Sequence, residues 1–123
     1  MQGNKEIPQA TAERYLITLK ELVSIARKAI AATQDEQQSV LWQRKVLLLL
    51  EGQFSAAQQA QAHYAIGNQK PLVDRARRSL SLARDMDGYS LNFAGETFAA
   101  QFVEQRRLVV FAAWQVCESA GAI

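Results

Sequence analysis

The chain is poor in the side chains that build catalytic and metal centres. One histidine, His63, and one cysteine, Cys117, are far apart in a sequence of 123 residues. A single cysteine excludes an intramolecular disulfide. One histidine and one thiol do not make a zinc-type ligand cluster, and no Glu-x-x-His pair of the di-iron bundle type occurs. With only two prolines and six glycines, long segments run without breakers, which favours helices over many short strands. No apolar run approaches the ~20 residues needed to cross a bilayer. The longest are residues 108–117 (LVVFAAWQVC) and 46–50 (VLLLL). The first ten residues, MQGNKEIPQA, lack the apolar core of a secretory signal. The expectation is a soluble, cytoplasmic protein with no membrane role.

Motifs for bound ligands are equally scarce. Gly67-Asn68-Gln69-Lys70 lacks the glycine pattern and the Ser or Thr of a phosphate-binding loop. Asp85-Met86-Asp87-Gly88 faintly suggests a calcium loop, but Ser90 and Glu96 fall out of register for further ligands, so a helix terminus explains it better. Asp85, Asp87 and Glu96 flank one loop, yet nothing in their spacing brings two carboxylates together for acid–base work. His63 sits where a cation suits a helix end. Cys117 lies in an apolar run, where a thiol is usually a small buried hydrophobe. The reading is non-enzymatic, with no catalytic residue, metal, cofactor or small-molecule substrate.

What the chain does contain is grease at helical spacing. Hydrophobic residues make up 49% and charged residues 21% of a length that suits one domain. Residues 1–10 read as a flexible lead-in and 11–123 as one helical-bundle domain. Thr11 is the expected N-cap of a first helix, with Glu13 in its first turn. Leu16, Leu19, Val23, Ala26 and Ile30 form its seam, widened by Tyr15, Leu22 and Ala29. That helix runs to about Ala32. Thr33 and Glu36 fit a capping box for a second helix. Val40, Leu47, Phe54 and Gln61 form one row of it, and Gln43, Leu50, Ala57 and Tyr64 the other. Gly52 interrupts this pattern at about 1 kcal/mol relative to alanine. A single long helix over 34–66 is favoured over two helices broken near Gly52. Gly67-Asn68 reads as a C-cap and Pro71 as the start of a third helix. Its inner face holds Leu72, Val73, Ala76, Leu80, Ala83 and Met86. A loop to Asn92, the next N-cap candidate, leads into a last helix over about 93–119. The seam of this helix is Phe98, Phe102, Val109, Ala112 and Val116. The fold class is therefore all-α, a four-helix antiparallel bundle with a long second helix.

Two levels of this bundle carry more apolar residues than one face can hold. Residues 46–50 are five in a row, more than one turn of 3.6 residues, so that level asks for cover on every side, and one such helix fits a central place in the bundle. In the last helix, Leu108, Val110, Phe111 and Trp114, together with Ala113, lie outside the seam. Surplus of this kind marks a protein interface, so Leu108, Val110, Phe111 and Trp114 are the expected contact residues for a protein partner or a second copy.

The charge pattern offers an alternative. Lys70, Arg75, Arg77, Arg78 and Arg84 are five cations against one anion, Asp74, in a chain whose net charge is only +2. Arginine suits bidentate phosphate contact, so these five are the expected residues for a nucleic acid or an acidic partner. Arg44 with Lys45 and Arg106 with Arg107 would extend such a patch if they lay beside it. No aromatics interleave, which disfavours base stacking. Fourteen glutamines, among them Gln53, Gln58, Gln59 and Gln61 on the second helix, make an uncharged polar surface. By architecture alone, small basic helical bundles also serve as helper subunits in ribonucleoprotein complexes, an analogy of fold and not of site. The function expected is a helical interaction protein, a subunit or adaptor in a homo- or hetero-oligomeric assembly. The alternative is a subunit that binds a phosphate backbone through its third helix.

Overall fold

A computed structural model describes the backbone of residues 5–32, 37–86 and 95–123, with side chains described over 5–31, 44–81 and 100–123. Four helices account for it: α1 (Gln9–Ala32), α2 (Gln37–Ala65), α3 (Lys70–Met86) and α4 (Gly95–Ser119). The described residues contain no strand. Each helix packs on two others, α1 on α2 and α4, and α3 on α2 and α4. The four therefore form a ring, with α2 and α4 at opposite corners, and no helix takes the central place that the apolar level of residues 46–50 suggests.

Periodicity placed the core well. Tyr15, Leu19, Leu22, Val23, Ala26 and Ala29 of α1 are buried, as are Leu72, Val73 and Ala76 of α3 and Phe102, Val109, Ala112 and Val116 of α4. Side-chain contacts fix the register. The Tyr64 hydroxyl donates to the Ile7 carbonyl, while Arg27 pairs with Glu51. Moving forward along α1 thus moves backward along α2. Likewise the Lys5 amide bonds the Ala120 carbonyl at 3.1 Å, and Gln105 Nε2 bonds the Thr18 carbonyl at 3.0 Å.

Two local expectations change. Thr11 is not the N-cap. Its amide, at 3.0 Å, and that of Ala12, at 3.1 Å, already bond the Pro8 carbonyl, so the helix starts at Gln9, three residues before the Ala12 start that a Thr11 cap implies. Residues 5–8 are not a free lead-in either. Ile7 is fully buried, its amide donates to Gln69 Oε1 at 3.0 Å, and Gln69 Nε2 donates back to the Lys5 carbonyl. The burial of one isoleucine and these bonds hold the segment across the end of the bundle. Gly52 neither breaks α2 nor admits a close neighbour: it is helical and exposed, with nothing within 4 Å of where a Cβ would stand.

The predicted C-cap after α2 is present. Gly67 has φ 93°, its amide bonds the Tyr64 carbonyl at 3.0 Å, and the Asn68 amide bonds the His63 carbonyl at 2.9 Å. Gly121, with φ 72°, closes α4 in the same way, through Gly121 to Glu118 and Ala122 to Cys117. The expected caps at Thr33, Glu36 and Asn92, and the loop with Asp87 and Gly88, lie outside the described residues.

One polar contact crosses the middle of the ring. Tyr15 is fully buried, and its hydroxyl donates to the Arg75 carbonyl at 3.1 Å. That uses its only proton, so the buried Ser79 hydroxyl, 2.6 Å away, donates to the tyrosine oxygen. Burial pushes the Tyr15 hydroxyl up to about 12, because the anion would have to form inside the core.

Candidate interaction surface

α4 places its core residues on one side: Phe102, Val109, Ala112, Ala113, Val116 and Cys117 are all buried. At about 100° per residue, the opposite side of the helix is centred on Phe111. There the helix presents apolar residues to solvent, Val103 at 40% exposure, Leu108 at 43%, Phe111 at 54% and Trp114 at 39%. These four span about 16 Å of helix. Three of the four expected interface residues are thus exposed, and Val110 is half-buried. Val103 was not expected. Its signal lay in the sequence, eight residues before Phe111 and therefore on nearly the same face.

The residues 46–50 divide. Val46 and Leu50 turn inward and are buried, Leu47 is half-buried, and Leu48 and Leu49 are 69% and 44% exposed. Among the described residues, the cover expected on every side is absent. A helix at the corner of a four-membered ring has neighbours over only part of its circumference, so five apolar residues in a row leave two outside. Because α2 and α4 stand at opposite corners, the two apolar surfaces face away from each other. Ile17 on α1, 65% exposed, is a single outward residue without an apolar row of its own.

The described basic residues of α3 do not all share one face: the exposed Lys70, Arg77 and Arg78 fall within about 100° of arc, and Arg75 lies outside it. Arg75 and Arg77 are two apart, about 200° around the helix. Arg75 is half-buried and lines a groove of about 390 Å³ beside α2, with His63, Gln59, Pro71 and Asp74. Arg77 turns toward the end of α4, and its Nη2 donates to the Ala122 carbonyl at 3.1 Å. Arg78 and Lys70 are exposed on the outer face, with the exposed Asp74 between them in sequence. The side chain of Arg84 lies outside the described residues. Of the other basic pairs, Arg107 lies 3.8 Å from Glu104 on its own helix.

Chemistry remains hard to find. Among the described residues no three His, Cys, Asp or Glu side chains gather for a metal ion. A groove of about 770 Å³ lies where residues 6–9 cross the α2–α3 turn and is lined by Glu6, Gln9, Gln61, Tyr64, Gln69 and Lys70. Its tyrosine hydroxyl is committed to the Ile7 carbonyl. Cys117 is buried, and that burial pushes its thiol up, away from the reactive thiolate. Asp85, Asp87 and Glu96 have no described side chains. No described helix is long and apolar enough to cross a membrane. Compared with models of known protein families, with curated proteins and with solved structures, the chain matches none.

Proposed function

We propose that this protein is a non-enzymatic helical subunit that works inside a larger assembly, with the outer face of α4 as its principal contact. One observation carries the reading: Val103, Leu108, Phe111 and Trp114 stand exposed together on one helix face. Scattered exposed hydrophobes are normal on any protein, but an aromatic pair within an apolar row is what interface centres use. Leu48 and Leu49, on the opposite corner, give the subunit a second, smaller contact. The reading of α3 as a phosphate-binding face has less support. One of its arginines is tied to the C-terminal segment, and Arg75 points to the other flank.

The test is the size at which the native chain runs in an extract of its own cells crosslinked before lysis, so that weak contacts survive dilution. The expected result is a complex well above 13.7 kDa that falls to the size of the free chain on Phe111→Asp, with helical content and melting temperature unchanged. A native chain that already runs at monomer size would contradict the reading.

A further inference from the structure

The outer stripe of α4 has an order that names an occupant. Arg107, Phe111, Trp114 and Glu118 are spaced four, three and four residues apart, the spacing of a helix-pairing seam. At about 100° per residue they fall within about 60° of arc. All four are exposed, Arg107 with 74% of its side chain open to solvent. The stripe is symmetric in position and antisymmetric in charge. A cation stands four residues before the aromatic pair and an anion four residues after it.

We propose that the occupant is a second copy of this chain, its α4 laid against the first in the opposite direction about a two-fold axis passing between Ala112 and Ala113. This rests on the reading of the α4 face as an interface and deepens it by naming the partner. The two-fold sets Phe111 on the partner's Trp114 and Trp114 on the partner's Phe111. It sets Arg107 against the partner's Glu118 at one end and repeats that pair at the other, as an isologous interface requires. Parallel packing would instead put Arg107 on Arg107 and Glu118 on Glu118, so repulsion selects the direction. Glu104 falls opposite the partner's Gly121, which presents no side chain. Its 3.8 Å contact with Arg107 is between exposed groups and is easily exchanged. Val103 and Leu108 flank the stripe and widen the apolar contact. One helix face buries less than the ~800 Å² per partner of a standard interface, so the dimer is weak.

The experiment is sedimentation equilibrium of the purified full-length chain over a range reaching the order of 100 µM, at low salt. Wild type is expected to show a reversible monomer–dimer equilibrium. Arg107→Glu alone and Glu118→Arg alone each turn two attractive contacts into two repulsive ones and should weaken it by about tenfold or more. Mixing the two single variants in equal amounts should restore dimers, because the mixed pair is complementary at both ends. The double variant should also dimerise. Circular dichroism confirms that each variant remains helical. A wild type that stays monomeric, single variants that dimerise as well as wild type, or a mixture that does not recover would each overturn the proposal. A purified monomer whose Phe111-dependent complex persists in cell extract would sink this inference and leave the assembly reading standing.

Discussion

Replacing Tyr15 by Phe removes one oxygen from the centre of the bundle, and the structure allows the consequence to be worked at two pH values. Near neutrality the hydroxyl bonds the Arg75 carbonyl and receives the Ser79 hydroxyl. Without it, buried Ser79 loses its cross-bundle partner, although it can turn back to a carbonyl of its own helix. The cost is about 1–2 kcal/mol, or a fall in melting temperature of roughly 4–8 °C for a domain of this size. In alkali the sign reverses. The unfolded chain loses the tyrosine proton near pH 10, whereas the folded chain keeps it until about 12. Between those values the unfolded state binds fewer protons, so stability falls by about 1.4 kcal/mol per pH unit, about 2–3 kcal/mol in total. Tyr15→Phe has no such term. Urea denaturation of both proteins from pH 7 to pH 12 should give curves that start apart with wild type the more stable. They should converge above pH 10 and meet or cross near 12. Curves that stay parallel throughout would refute the argument that burial of this hydroxyl governs its titration.

Two glycines make a second, contrasting prediction. Gly52→Ala should stabilise the chain by about 1 kcal/mol, because the site is helical, exposed and empty around the missing Cβ. Gly67→Ala, where φ is 93°, should destabilise it by roughly 1–2 kcal/mol. Thermal melts of the two variants should therefore move in opposite directions by several degrees, and equal shifts would show that one of these backbone assignments is wrong.

Much of the bundle was legible because a helix writes its buried face at intervals of three and four. The rows through Leu19, Val23 and Ala26, and through Phe102, Val109 and Ala112, needed no tertiary knowledge. The clasp of residues 5–8 was not legible, because its partners, Gln69 and Ala120, are distant in sequence and an isolated isoleucine beside a proline carries no period. Ser79 was hidden for a related reason. It falls on the inner stripe of α3 with Leu72 and Ala76, but nothing local shows that Tyr15 reaches it across the ring. The surface on α4 was half legible. Surplus apolar residues mark a helix for outside contact, yet which of them face out depends on where the neighbouring helices sit. That placement separates Leu48 from Val46 and Trp114 from Ala113. The arginines of α3 are a mixed case: Arg77 and Arg78 stay on the outer face with Lys70, while Arg75 falls on the flank toward α2 and Arg77 is engaged by the C-terminal segment.

The account depends most on the outer face of α4 being covered by protein in the cell. A photo-crosslinking residue placed at Phe111 reads this directly, with Lys20 on the exposed side of α1 as control. Irradiation of living cells should give a discrete covalent product at position 111 and none at position 20. No product at 111, or the same diffuse products at both positions, would contradict the account.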